Sequence, residues 1–230
     1  MAADFPIVFA LYPRITQLDF TGPLEVLARL PGARCVLASV EGGSIQATGG
    51  VRFADVVRLS DVSGCALLCV PGGFGTVAAL EDESYLSELR RLGTQARYIT
   101  AVCTGSLLLA AAGLLRGKRA ACHWAWRDLL SEFGVTPDAA RVVRDGNVVT
   151  GGGVTAGIDL ALTVMAEIAG IDYAQTVQLA LEYAPEPPFE CGRPERARAE
   201  IIVAAQKPLD AIRADRADAV GRAAQRLAQS

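Results

Sequence analysis

Short apolar runs that resemble buried strands alternate with helix-like segments along most of this chain. Such runs occupy 7–11, 35–40, 66–70 and 98–102, and helix-like segments follow the first, third and fourth. Strands that are apolar at nearly every position are typical of parallel sheets whose two faces are both covered. The alternation therefore predicts an α/β fold with a mostly parallel central sheet and helices on both faces.

Turn-forming and helix-forming residues predict several further elements. Paired glycines at 42–43 and 49–50 predict a small hairpin. Pro23 predicts the start of a helix, because proline is favoured in the first helical turn. A single helix is predicted by four leucines, at positions 80, 86, 89 and 92. The segment 124–133 is expected to form an amphipathic helix.

The last part of the chain differs in composition from the rest. Three prolines within 185–188 form a rigid break, and the residues that follow are rich in alanine, arginine and aspartate. An apolar stripe at helical spacing marks 208–229. We predict one main domain over 1–190 and a C-terminal helical extension over 191–230, packed on that domain or on a dimer partner.

The charge balance argues against nucleic acid as the main partner. The 230 residues carry 22 basic and 25 acidic side chains, a formal net charge of −3, with no basic run. A nucleic-acid-binding surface needs a positive patch, and single-strand binding needs aromatic platforms. Only 6% of the residues are aromatic, so neither class of binding is expected.

One uncharged stretch, 98–115, is long enough to cross a membrane. Cys103 and neighbouring glycine, serine and threonine residues interrupt it, and its β-branched residues gather in its first third. We therefore predict a buried strand followed by a buried helix, with no membrane contact. The N-terminus lacks the regions of a signal peptide, and we expect a cytoplasmic protein with reduced thiols.

The stretch 98–106 places Cys103 between a strand and a helix, as in the nucleophile elbow of hydrolases. Gly105 leaves room for the sharp turn. The helix N-terminus directs unpaired N–H groups at the sulfur, which lowers a thiol pKa, and the N–H of Thr104 is placed to stabilise negative charge. We predict a nucleophilic Cys103; the alternative is a small buried apolar cysteine.

Further loops follow strand carboxyl ends and are expected to converge on this cysteine. Gly72 and Gly73 can bring backbone N–H groups close to a substrate, but the Gly-Lys-Ser/Thr of a phosphate loop is missing. The glycines at 151–153 can do the same, or can simply make a tight turn.

Two titratable residues stand near these loops. Asp19 follows the first strand between apolar neighbours, and desolvation would raise its pKa toward neutrality and allow proton transfer. Its alternative role is a helix N-terminal cap. His123 is the one histidine in the chain, and we favour a structural role for it over a Cys–His pair. Because a zinc site needs more ligands of this kind, no metal is expected.

Several motifs together resemble the ThiJ/PfpI superfamily, which shares the class I glutamine-amidotransferase-like fold. Its general signatures are Pro71-Gly72-Gly73 and the segment 101–105 around Cys103. Within it, the chain is similar to the isonitrile hydratases in the segments 18–23, 113–120, 142–147, 151–159 and 178–185. The resemblance reaches to about Phe189. It implies a flavodoxin-like three-layer sandwich and a catalytic role for the domain over 1–190.

The resemblance also implies a reaction, the hydration of an isonitrile, R–N≡C, to an N-substituted formamide by a homodimer without metal or organic cofactor. Cys103 would attack the terminal carbon and form a thioimidate, and Asp19 would be the acid and base. Thr104 would help to position water and polarise the intermediate. The substrate-binding residues would be Gly72, Gly73, Gly152 and Val154.

This chain differs from other branches of the superfamily at positions that carry their functions, which narrows the range of activities that the resemblance implies. Peptidase-like members carry histidine directly after the nucleophile, where this chain has Thr104, and the late His-x-Glu of glutaminases is missing. AraC-type regulators append a helix-turn-helix region, for which the residues after Pro188 are too few. Two alternatives stay open: a stress protein that acts on glyoxals or senses oxidant through Cys103, and a non-enzymatic ligand-binding module.

Overall fold

Ten strands build the sheets of this protein in the computed structural model, which describes residues 4–229. In chain order, they are β1 Phe5–Ala10, β2 Ala33–Ser39, β3 Gly43–Gln46, β4 Arg52–Arg58, β5 Leu67–Val70, β6 Tyr98–Val102, β7 Arg119–Ala121, β8 Thr136–Asp138, β9 Val142–Asp145 and β10 Val148–Gly151.

Eight of these strands form the central sheet, in the order β3-β4-β2-β1-β5-β6-β10-β9. All neighbours are parallel except the outermost pairs, β3 with β4 and β9 with β10. Every residue of β5, β6 and β10 is buried, as expected for strands covered on both faces. The predicted mostly parallel sheet is confirmed. The remaining strands, β7 and β8, form a separate pair.

The α-helices form two groups, apart from α7, which packs mainly against α8. In chain order, they are α1 Leu18–Leu27, α2 Thr76–Glu81, α3 Glu83–Gly93, α4 Gly105–Ala111, α5 Ala156–Ala169, α6 Ile171–Ala180, α7 Ala199–Asp210 and α8 Arg213–Gln229. α5 packs against α1 and α6, whereas α2, α3, α4 and α8 pack among themselves. One group covers each face of the sheet, which completes the three-layer α/β architecture.

Three helix predictions were wrong in detail. α1 begins at Leu18, so Pro23 lies inside the helix; its first turn is already closed by Thr21, whose N–H donates to the Gln17 carbonyl. The single helix predicted over the leucines is two helices, because Asp82 adopts an extended conformation and caps α3 through Tyr85 N–H. The segment 124–133 contains a 3₁₀ helix, Arg127–Phe133, rather than an amphipathic α-helix.

The C-terminal stripe is divided between α7 and α8. α8 packs on α2, α4 and the 3₁₀ helix Arg127–Phe133 of the same chain. Ala219, Val220 and Ala223 are buried in that contact. Arg222 and Arg226 form ion pairs with Glu81 of α2. These contacts bring the tail over the carboxyl edge of the sheet. Within residues 4–229, no helix is both long enough and apolar enough to span a membrane.

Candidate active site

Cys103 occupies the turn between β6 and α4 in a left-handed backbone conformation, with φ of 59°. Such a φ is strained for a side chain other than glycine, and strained residues concentrate at functional sites. The turn passes so close to β5 that a Cβ on Gly105 would lie 2.1 Å from the carbonyl oxygen of Val70. Gly105 is therefore required sterically, and the local geometry is that of a nucleophile elbow.

The carboxyl group of Asp19 lies in the first turn of α1 and is fully buried. Gln17, not Asp19, occupies the N-cap position. Oδ2 accepts a hydrogen bond of 2.9 Å from the N–H of Gly72, while buried Oδ1 has no hydrogen-bond partner of good geometry among residues 4–229. Burial raises the pKa of Asp19 to about 7, against the opposing effects of the Gly72 N–H and the Cys103 thiol. The carboxyl group can therefore exchange a proton near neutrality.

The expectation of a lowered thiol pKa was wrong. Burial raises the pKa of Cys103 well above its ordinary value, and nearby Asp19 and Cys122 raise it further. The N–H of Thr104 and the charge of Arg216 act in the opposite direction but do not prevail. Because desolvation outweighs the helix N-terminus here, formation of a thiolate needs a base beside the sulfur.

A hydrogen-bonded chain orients the hydroxyl group of Thr104. Its Oγ1 accepts from the N–H of Gly73 at 3.0 Å and lies 2.8 Å from Oγ1 of Thr76. Since the Thr76 hydroxyl donates to the Gly73 carbonyl at 2.7 Å, the proton between the two threonines belongs to Thr104. The Thr104 hydroxyl therefore has no second proton to donate and faces a ligand as an acceptor.

A cavity of about 120 Å³ opens at Cys103. At roughly 30 Å³ per water molecule, it has room for a small ligand only. Its walls come from three regions of the chain: the loops after the strands, the segment after β7 and the C-terminal tail. The lining residues are Thr16, Gly73, Phe74, Cys103, Thr104, His123, Trp126, Val154, Leu209, Ile212 and Arg216.

The glycines predicted to bind substrate hold protein groups instead of facing the cavity with free N–H groups. Gly72 donates to Asp19 and Gly73 donates to Thr104. Gly152 is not among the residues that line this cavity, and its N–H donates to the Arg141 carbonyl at 2.9 Å. Val154 lines the cavity beside Cys103.

Two polar residues of the cavity wall were not predicted as site residues: His123, for which a structural role was favoured, and Arg216. His123, expected to be structural, has its pKa lowered to about 4 by burial and by the charge of Arg216. Its Nδ1 accepts from the N–H of Ala125 at 3.3 Å, so the neutral ring carries its proton on Nε2. Arg216 is 2% exposed. Its position between Ile212 and Val220, on the apolar face of the tail helix, was the available signal.

Among residues 4–229, no three His, Cys, Asp or Glu side chains come together as a metal-binding group.

A strained cysteine above a parallel sheet, with a buried carboxyl group behind it, defines an α/β protein of the nucleophile-elbow class. The family model for "DJ-1/PfpI family" matches residues 6–167, and the chain belongs to this family. The resemblance to ThiJ/PfpI proteins that the motifs predicted is thereby confirmed.

Individual relatives agree with this assignment. The chain is 49% identical over 201 residues to isonitrile hydratase of Pseudomonas putida, covering 87% of this chain and 88% of that one. It is 31% identical over 186 residues to an HTH-type transcriptional regulator of Pseudomonas aeruginosa, covering 77% of this chain but 54% of the regulator. A crystal structure of a ThiJ/PfpI family protein from Pseudomonas syringae is 36% identical, with a TM-score of 0.90 and coverage of 97% of this chain and 91% of that chain.

Proposed function

We propose that this protein is an isonitrile hydratase, a carbon–oxygen hydro-lyase that converts R–N≡C and water into R–NH–CHO. The observation that carries the proposal is the pairing of Cys103 at the elbow with a buried Asp19 whose pKa lies near neutrality. The 49% identity to the Pseudomonas putida enzyme over most of both chains supports the reaction class.

In the first half of the proposed reaction, the Asp19 carboxylate takes the thiol proton of Cys103 as the sulfur attacks the terminal carbon of the isonitrile. Asp19 then returns that proton to the same carbon, which gives the thioimidate R–N=CH–S–Cys103. A base is needed because the thiol pKa is raised. Asp19 can both accept and donate this proton because its pKa of about 7 lies near neutral pH.

In the second half, water adds to the thioimidate carbon, and Asp19 passes a water proton to the nitrogen. Collapse of the adduct breaks the C–S bond, releases the formamide and restores the thiol. The hydroxyl group of Thr104 accepts a hydrogen bond from the attacking water. The backbone N–H of Thr104 stabilises the negative charge on the Cys103 sulfur as the C–S bond breaks. Gly72 and Gly73 act indirectly, by orienting Asp19 and Thr104. Val154 shapes the apolar wall, and Gly152 supports the loop behind it.

The burial of Cys103 weighs against the alternative of an oxidant sensor. Cysteines that sense oxidants are accessible and have a lowered pKa. Cys103 is 6% exposed and its pKa is raised. Covalent catalysis on a small enclosed substrate accords better with that environment than oxidant sensing does.

The test is turnover of a small aryl isonitrile, followed by absorbance of the formamide, with Cys103→Ala assayed in parallel. Cys65→Ala is the matched control, because Cys65 is also buried but lies off the cavity. We expect turnover in the wild type and the control, and none in Cys103→Ala. Turnover of methylglyoxal without turnover of isonitrile would support the glyoxal alternative. Binding without product, unaffected by Cys103→Ala, would support the ligand-binding module.

We also propose that the protein is a homodimer in the cytoplasm. Large apolar side chains are exposed on α6 and α7, with Ile171 67%, Leu179 81% and Val203 65% accessible. Ile171 and Leu179 both belong to α6 and lie about two turns apart, so they share one face of the helix, and exposed apolar residues that share a face are typical of interfaces. Light scattering after size-exclusion chromatography measures the mass, and a mass of one chain would contradict the dimer.

All six cysteines are free, which supports the cytoplasm, a reducing compartment, as the location.

A further inference from the structure

Arg216 is a buried cation without a counter-ion at the wall of the active-site cavity. Its side chain enters from α8 and is 2% exposed. Within residues 4–229 no carboxylate lies within 4.0 Å of its guanidinium, although ten other ion pairs form on the protein. Burial of an unpaired charge is costly, and buried arginines normally have a partner.

The contacts of Arg216 hold it in place but leave its charge unbalanced. One terminal nitrogen donates to the carbonyl of Gly73 at 3.2 Å, and the guanidinium lies 4.2 Å from the centre of the Trp126 ring. Its Nε is buried and makes no hydrogen bond to residues 4–229. A carbonyl oxygen and an aromatic face are weak partners for a full charge, so the arrangement suits an anionic group that arrives with a ligand.

The other groups at this cavity do not supply that anion in the resting protein. Cys103 is protonated at neutral pH, because burial raises its pKa. His123 is neutral, because burial lowers its pKa to about 4. Asp19 is not among the residues that line the cavity, and its carboxyl group, held by Gly72, does not lie within 4.0 Å of the Arg216 guanidinium. The wall of the cavity therefore carries one fixed cation, Arg216, and no carboxylate among the lining residues of the described chain.

We infer that Arg216 forms an anion subsite and that the preferred substrates are small isonitriles bearing a carboxylate. This inference rests on the proposed function for the reacting group and adds the charge of the remainder of the substrate. The carboxylate pairs with the guanidinium, and the isonitrile carbon is thereby directed at Cys103. The carboxylate takes no part in the bonds made and broken. The volume of about 120 Å³ limits the substrate to a few heavy atoms between the two groups.

The first experiment compares kcat/KM for isocyanoacetate with kcat/KM for its neutral methyl ester. In the wild type, we expect the anion to be preferred by about tenfold or more. Arg216→Gln is expected to bring the ratio close to one, and Arg216→Lys to retain part of it. The ratio cancels any effect of the substitution on Cys103 that both substrates share. A wild-type preference for the ester, or an unchanged ratio in Arg216→Gln, would overturn the inference.

Arg213 provides a matched control on the same helix. It also lies over Trp126, at 5.9 Å, but it is exposed and paired with Asp128 at 3.2 Å. Arg213→Gln is expected to keep the wild-type ratio. Arg216→Gln could instead lower kcat/KM equally for both substrates and slow the alkylation of Cys103. That result would show that Arg216 stabilises the Cys103 thiolate, and it would overturn the anion subsite.

A binding measurement on the wild type separates this inference from the proposed function and needs no variant to fold. Calorimetry is used to compare N-formylglycine with its methyl ester. We expect the carboxylate to bind about tenfold or more tightly. If the protein hydrates neither isonitrile but keeps this preference, the proposed reaction fails and the subsite stands. If the ester binds equally well, the subsite fails whatever the reaction.

Discussion

The backbone N–H of Gly72 donates a hydrogen bond of 2.9 Å to Oδ2 of Asp19, across 53 positions of the chain. This bond joins the loop after β5 to the first turn of α1, and it fixes the orientation of a fully buried carboxyl group. It also favours the ionised form, so that the raised pKa of Asp19 stays near neutrality rather than higher. One backbone amide thus orients the group that we propose as acid and base and offsets part of the rise in its pKa that burial causes.

The raised pKa of Asp19 predicts how stability depends on pH. Its value is about 7 in the folded protein against 3.8 in a model peptide, so the folded state favours the protonated form. The contribution of the buried Asp19 carboxyl to the free energy of unfolding is fully present below pH about 4. It is lost as the pH rises through about 7. The loss is at most about 4 kcal/mol. Asp19→Asn should abolish this part of the dependence, as measured by urea unfolding between pH 4 and 8. Parallel pH curves for the two proteins would contradict it.

Gly72 tolerates no side chain at its position. A Cβ there would lie 2.5 Å from the N of Thr104 and 2.9 Å from Oδ2 of Asp19. Gly72→Ala must therefore displace the acid or the elbow, and we expect kcat/KM for an aryl isonitrile to fall by about 100-fold. Gly153→Ala is the control, because a Cβ at Gly153 has no atom within 4 Å. Similar losses in both variants would argue against a positioning role for Gly72.

Much of the fold could be predicted from the sequence because it depends on local patterns. β5 and β6 are apolar at nearly every position, and both are buried throughout. Cys103 was predicted from its place at a strand-to-helix turn. The loops near it were predicted because the carboxyl ends of parallel strands meet at a single edge of a sheet, and of those loops Gly73 and Val154 line the cavity. The hairpin of β3 and β4 was predicted equally well from its glycines.

The remaining features depend on contacts between distant parts of the chain. Leu209, Ile212 and Arg216 reach the cavity only because α8 docks on α2 and α4, and no periodicity shows where a helix docks. The thiol pKa was mispredicted for a related reason. The helix N-terminus is visible in the sequence, but the burial that outweighs it is a property of the assembled site.

The raised pKa of Cys103 predicts slow alkylation. At pH 7 only a small fraction of this buried thiol is ionised, and the thiolate is the reactive form. We expect iodoacetamide to label the exposed Cys191 before Cys103, and the rate at Cys103 to increase as pH rises. Peptide mapping by mass spectrometry measures the rate at each cysteine separately, and Cys191→Ala shows whether labelling of Cys103 depends on prior labelling of Cys191. Faster labelling of Cys103 at pH 7 would indicate a lowered pKa after all.

Gly221, in the middle of α8, is a site where the protein can be made more stable. A Cβ at this position has no atom within 4 Å, and its φ is not positive. Glycine inside a helix is less favourable than alanine by about 1 kcal/mol, because its backbone loses more freedom on folding. Gly221→Ala should therefore raise the melting temperature by roughly 2–4 °C. Gly113→Ala provides the opposite case, since Gly113 has φ of 79° and a Cβ there would lie 3.2 Å from Leu227. That variant should melt at a lower temperature than the wild type, and shifts of the same sign in the two would show that local backbone conformation does not control the effect.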